Sequence, residues 1–176
     1  MLERDMNPSA VSWALGPLAH LDLAATVTVA VLAGFLLLSP VGISAQEPLT
    51  YEEARVATDA AEAESRANGW NLAIVIADAD GVPLYLRRFG GATPRFYEIA
   101  MGKIRTVLAT GMSTGEYAAA LEDGSMEPIE AGITFEGGYL IRRDGEVIGA
   151  MSASGARGSE DAQVVRVGLA AIGLDP

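Results

Sequence analysis

The sequence predicts an α/β fold of the α+β kind, an antiparallel five-stranded sheet flanked by helices. Two apolar, strand-like pairs are each joined through Asp-Gly, at Asp80-Gly81 and Asp144-Gly145, and such tight turns join neighbouring strands antiparallel. Segments with a 3.6-residue apolar period and clear N-cap signals lie before, between and after them. The resulting order is helix, two strands, two helices, three strands, helix, which lays helices over a sheet.

The chain has 176 residues, enough for one domain and a leader. No charged residue occurs from Leu23 to Gln46, and the run Ala24 to Leu38 is followed by Pro40 and small residues. That pattern resembles a secretory signal peptide cut near Ser44 or Ala45, with an uncleaved N-terminal anchor as the alternative. The expected organisation is therefore residues 1–45 as signal peptide or anchor and residues 46–176 as the folded domain, periplasmic or secreted. Its only expected contact with a membrane is through an uncleaved leader.

Residues 46–176 hold 11 basic and 20 acidic side chains, net −9. This excess repels phosphate backbones and argues against a nucleic-acid partner. There is no Cys, and the only His is His20, in the leader. The domain thus has no thiolate, no histidine base and no histidine-ligated metal centre.

Thr50 and Glu53 form a capping-box pattern that opens the first helix, whose stripe is Ala54, Ala57, Ala60, Ala61 and Ala67 before a stop at Gly69. Trp70 to Ala77 is apolar on both alternating faces, as a central strand should be. Asp78 to Gly81 is turn chemistry, and two aspartates are too few for an oxygen-ligated cation. Val82 to Phe89 returns as the second strand, with Pro83 placing its start at an edge. Thr93-Pro94 reads as N-cap and N1 of a helix ending at Gly111. Tyr97, Ala100, Met101, Ile104 and Leu108 make its buried face, and Ile99, Gly102, Lys103 and Thr106 another. A glycine inside a helix costs roughly 1 kcal/mol, so Gly102 marks a close approach by packing or by a ligand. Ser113 and Glu116 repeat the capping box for a short helix. Ile133 to Glu136 reads as a short strand. Tyr139 to Arg143 and Glu146 to Ser154 form the second hairpin. Gly158-Ser159 leads into the last helix, with Ala162, Val165, Leu169 and Ile172 inward. Gly155 to Gly158 would offer backbone N–H groups to an anion, without the lysine and strand context of a nucleotide-binding loop.

Several of these stretches, in this order, resemble the GlcG/HbpS-like haem-binding family. They are Asp78-Ala79-Asp80-Gly81, Gly90-Gly91-Ala92, Ile99 to Thr106, Gly137-Gly138, Gly145 to Ala150, Ser154-Gly155 and Glu160-Asp161. The resemblance runs from about Leu49 to Leu174. It implies a profilin-like arrangement, a homo-oligomer, and a small-molecule ligand, with haem as the cofactor some members bind. Tyr139-Leu140 stands where many members carry proline after the double glycine. Without histidine, axial ligation of haem would fall to Tyr97, Met101 or Tyr139, with Met112, Lys103 and Thr106 as further candidates. The expected pocket lies between the Gly102/Lys103/Thr106 helix face and Phe135 to Tyr139. Its expected binding residues are Lys103, Arg105, Thr106, Phe135, Gly137, Gly138 and Tyr139, with Lys103 and Arg105 facing ligand carboxylates. The function expected is an exported binding protein without catalysis. Two alternatives stand beside it. One is an accessory enzyme using Lys103, Tyr139 or a carboxylate as acid or base. The other is a structural or regulatory oligomer without a ligand.

Overall fold

The computed structural model describes residues 47–175. The leader expectation falls on residues outside that range. Among the described residues no helix is long and apolar enough to cross a membrane.

The elements follow the expected order, less one strand. Helix α1 spans Tyr51–Ala67, β1 Ala73–Asp78, β2 Pro83–Arg88, α2 Pro94–Thr110, α3 Thr114–Glu122, β3 Gly138–Arg143, β4 Glu146–Ser154 and α4 Gly158–Ala170. Each helix start is set by local chemistry. Thr50 Oγ1 accepts from Glu53 N at 3.2 Å while Thr50 N donates to Glu53 Oε2 at 2.8 Å. Ser113 and Glu116 repeat this reciprocal pair at α3. Pro94 sits in the first turn of α2, and Gly111 closes that helix in the left-handed region at φ 72°.

The four strands form one antiparallel sheet in the order β2-β1-β4-β3. β1 is central and almost wholly buried, and β2, which begins at Pro83, is an edge. Asp144 at φ 52° and Gly145 at φ 88° turn β3 into β4, the positive-φ pair that matches strand twist. The period of two sends Ile74, Ile76, Met151 and Ala153 to one face, where α1 and α4 pack through Ala57, Ala61, Val164, Val165 and Leu169. It sends Val75, Ala77, Leu140 and Ala150 to the other, against Ala100, Ile104 and Val107 of α2. The result is three layers, helix pair, sheet and helix.

The sheet has four strands, not five. Ile133 to Glu136 is irregular, because its backbone groups bond to side chains of α2 instead of to a neighbouring strand. Ile133 N donates to Thr106 Oγ1 at 2.9 Å, and Glu136 O accepts from Lys103 Nζ at 2.5 Å. The close approach that Gly102 marks is this same segment, since a Cβ there would lie 2.8 Å from Ile133 Cγ1. The Asp-x-Asp-Gly turn closes on itself. Asp78 Oδ1 accepts from Asp80 N and Val82 N, and no metal-sized cluster of ligands occurs among the described residues.

Candidate functional site

The last helix begins where β4 ends, so the mouth of α4 faces the side of α2 that carries Phe96, Ile99 and Lys103. These three residues lie at i, i+3 and i+7 on one helical stripe. A cavity of about 400 Å³, open on one side, occupies the space between them, the end of β4 and the start of α4. Its apolar wall is Phe96, Ile99 and Phe135, and Ser154, Gly155, Ala156 and Gly158 line the strand-to-helix side. The volume lies in the range of small-molecule pockets, roughly 300–1,000 Å³. Phe135 is 64% exposed and gives the opening an accessible aromatic surface.

At the base of the cavity Lys103 and Asp161 form a buried ion pair at 2.9 Å. Lys103 has no exposed surface. Its ammonium donates to Asp161 Oδ2, to Ala153 O at 2.7 Å and to Glu136 O at 2.5 Å, which uses all three N–H groups. Asp161 Oδ1 accepts from Ala156 N at 3.1 Å. Burial pulls the Lys103 ammonium below its usual range and pushes the Asp161 carboxyl above its own, each against the attraction of the other. The geometry requires Gly137. It sits at φ +104°, and a Cβ would lie 2.5 Å from Asp161 Cβ and 3.0 Å from Lys103 Nζ.

The structure brings together only some of the residues singled out in the sequence. Lys103 and Phe135 line the cavity, and Gly137 packs against the ion pair. Gly138 is buried, and a Cβ there would lie 2.9 Å from both Lys103 Cβ and Thr114 Cγ2. Thr106 is buried and bonded to Ile133 N, away from the cavity lining. Arg105 is exposed and does not line it. Tyr139 lies on the opposite face of the sheet, where its hydroxyl accepts from Arg166 at 2.7 Å and burial pushes it above the ordinary phenol value. Tyr97 and Met101 share the α2 flank away from Ile133, with Met101 packed on the Val75/Ala77 cluster. Neither lines the cavity, and neither does Met112. Phe96, Ile99, Ser154, Ala156, Gly158 and Asp161 complete the site. Ser154, Ala156, Gly158 and Asp161 lie in or beside the Ser154-Gly155 and Glu160-Asp161 stretches and the glycine-rich entry to α4, Ile99 lies in the Ile99 to Thr106 stretch, and no sequence signal marks Phe96.

Haem fits this lining in part. Phe96, Ile99 and Phe135 suit the face of a flat apolar ring, whereas no His, Cys, Tyr or Met stands among the cavity residues to meet an iron.

Fold and site together define a three-layer α/β domain with a ligand-sized cavity beside a saturated buried ion pair. A family model described as haem degrading protein HbpS-like matches residues 49–170, and the chain belongs to this HbpS-like family. It is 28% identical over 132 residues to the corrinoid adenosyltransferase PduO of Citrobacter freundii, covering 72% of this chain and 39% of that protein. The chain thus spans well under half the length of that curated relative. Among solved structures it is similar to a PduOC:heme complex, with TM-score 0.65, 26% identity and coverage of 73% of this chain and 97% of that one. It is likewise similar to HbpS, with TM-score 0.65, 27% identity and coverage of 73% and 93%. The Klebsiella pneumoniae protein ORFY shares the fold, with TM-score 0.66 at 21% identity over 77% and 98% of the two chains.

Proposed function

We propose that this domain binds a flat, largely apolar small molecule in the cavity between α2, Phe135 and the start of α4, with haem or another tetrapyrrole as the leading ligand. The observation that carries this reading is the exposed Phe135 ring, which lines a ligand-sized opening together with Phe96 and Ile99. The haem complex of the PduOC relative supports the choice of ligand. Lys103 is held as a cation by a carboxylate and two carbonyls. It has no free lone pair to act as a base, which favours binding over catalysis. The uncharged segment before Gln46 supports export, and the family resemblance supports a homo-oligomer. Signal processing is tested by N-terminal sequencing of the exported protein, and assembly by light scattering.

The ring, not the iron, is what the cavity residues can hold. Absorbance and fluorescence titration of the full chain should therefore give saturable binding of haemin and of metal-free protoporphyrin with similar affinity. Phe135→Ala should weaken both, and Tyr97→Phe, Met101→Leu and Tyr139→Phe should leave both unchanged. Absence of saturable binding by either porphyrin at micromolar concentration would overturn the tetrapyrrole reading.

A further inference from the structure

Among the described residues eight polar or charged ones are buried: Thr58, Ser65, Lys103, Thr106, Thr114, Ser152, Ser154 and Asp161. Seven have side-chain partners. Thr58 and Ser65 bond back along α1, Thr106 to Gly102 O and Ile133 N, Thr114 to Gly138 N, Ser152 to Ala100 O, and Lys103 to Asp161. Ser154 is the exception. It is 4% exposed, its hydroxyl has no protein partner, and it lines the cavity. No fully enclosed side-chain polar atom in the described residues lacks a partner, so the Ser154 hydroxyl opens into the cavity. That hydroxyl is unpaired within the protein, and it faces the cavity as an open donor and acceptor. Its hydrogen-bonding partner comes from whatever fills the space.

The groups beside it limit what that partner is. Gly158, the first residue of α4, lies on the same wall. Its N–H belongs to the first turn, where amides have no intrahelical acceptor and the helix end carries partial positive charge. The two preceding amides are already used, Ala156 N by Asp161 Oδ1 and Arg157 N by Glu160 Oε2. Asp161 also lines the cavity, but its charge is matched by Lys103 and both its oxygens accept hydrogen bonds. The Glu136 carboxylate turns towards Gly115 and is absent from the lining. The cavity is therefore lined by one free hydroxyl and by the residue that carries the first helix-end amide of α4, beside an apolar wall and with no unpaired charge of its own. Those two donors suit the two oxygens of a single carboxylate. A phosphate dianion would need cations that the site does not offer.

The structure assigns Ser154 and the Gly158 amide as the carboxylate-binding end of this cavity, and so an organic acid with an aromatic or branched apolar body as its ligand class. This rests on the reading of the cavity as a ligand site and names the chemistry that orients the ligand in it.

The test compares phenylacetate, its uncharged analogue phenylacetamide, and acetate, with the full chain, by calorimetric titration and by following backbone amide resonances. Phenylacetate is expected to bind saturably and to move the Ala156 and Gly158 amide signals. It should bind at least about tenfold more tightly than the amide, the share of a charge-assisted hydrogen bond. Acetate should bind far more weakly, because it leaves the Phe135 wall empty. Ser154→Ala should reduce the acid-over-amide ratio to near unity while circular dichroism stays unchanged. The wild-type ratio stands as evidence by itself if that variant fails to fold. Equal binding of acid and amide would overturn the assignment while leaving the cavity as a ligand site, as would an unchanged ratio in a folded Ser154→Ala protein. Binding of porphyrin without either small probe would also overturn it. Binding of none of these molecules would overturn both readings.

Discussion

Removing the carboxylate of Asp161 tests the centre of the site most directly. In Asp161→Asn the Lys103 ammonium keeps its bonds to Glu136 O and Ala153 O but loses its counter-ion, with no exposed surface through which water could replace it. Breaking one side of a buried pair costs roughly 3–5 kcal/mol. Loss of the acceptor for Ala156 N is smaller, since an amide oxygen can still accept there. The cost should depend on pH, and the sign follows from Lys103. Its ammonium already lies below the ordinary value of 10.5, pulled down by burial and held up by Asp161. Without Asp161 it falls further. Between that lowered value and 10.5 the unfolded chain binds more protons than the folded one, so stability rises with pH. The variant should therefore regain stability relative to the parent as the solution is made alkaline. Denaturant unfolding of both full-length proteins from pH 6 to pH 10, followed by far-ultraviolet circular dichroism, measures the gap. A gap below about 1 kcal/mol at neutral pH, outside the range for a broken buried pair, would refute the argument. So would a gap that stays constant across the alkaline range.

Gly137→Ala should destabilise the fold by about 2 kcal/mol or more in the same unfolding assay, because it sets a side chain at φ +104° and drives Cβ into Asp161. Phe135→Ala should change unfolding free energy by less than about 0.5 kcal/mol, as an exposed residue does, yet weaken ligand binding in titration. Ser113→Ala should cost about 1 kcal/mol by denaturant unfolding through loss of the α3 cap.

The fold was legible wherever local chemistry and tertiary need agree. Capping boxes at Thr50 and Ser113, Pro94, the Asp-Gly turns and the two-sided apolar run of β1 each announce an element, and each stands where the spacing puts it. Ile133 to Glu136 misled for a physical reason. Its composition is strand-like, but Thr106 and Lys103 reach it first and use its backbone groups, a competition that no local window reveals. The site was half legible. The only lysine lies on the helix face that lines the cavity and Gly137 packs against its ion pair, whereas Gly102 faces Ile133 instead. Tyr97, Met101 and Tyr139 drew attention as polarisable or phenolic side chains, and only the sheet order and the helical phase show that they face elsewhere.

The same helical phase explains why the cavity exists at all. In sequence, residues 99, 102, 103 and 106 read as one face, yet in the folded helix that face divides. Gly102 and Thr106 turn to the irregular segment and hold it, while Ile99 and Lys103 turn to the end of β4. The segment is pinned at Ile133 and Glu136, and Phe135 between them stays exposed and lines the cavity with Phe96 and Ile99. Because Lys103 draws Ala153 O and Asp161 onto itself, α4 starts only four residues on from Ser154 and leaves that hydroxyl facing open space. The ion pair thus acts as a spacer as well as a bond. A Lys103→Met/Asp161→Leu pair of substitutions could restore stability through apolar packing. It would still remove the bonds that hold Glu136 O and Ala153 O in place. Such a variant should unfold at denaturant concentrations near those of the parent and yet bind cavity ligands poorly. If it bound them as the parent does, the ion pair would have no part in shaping the site.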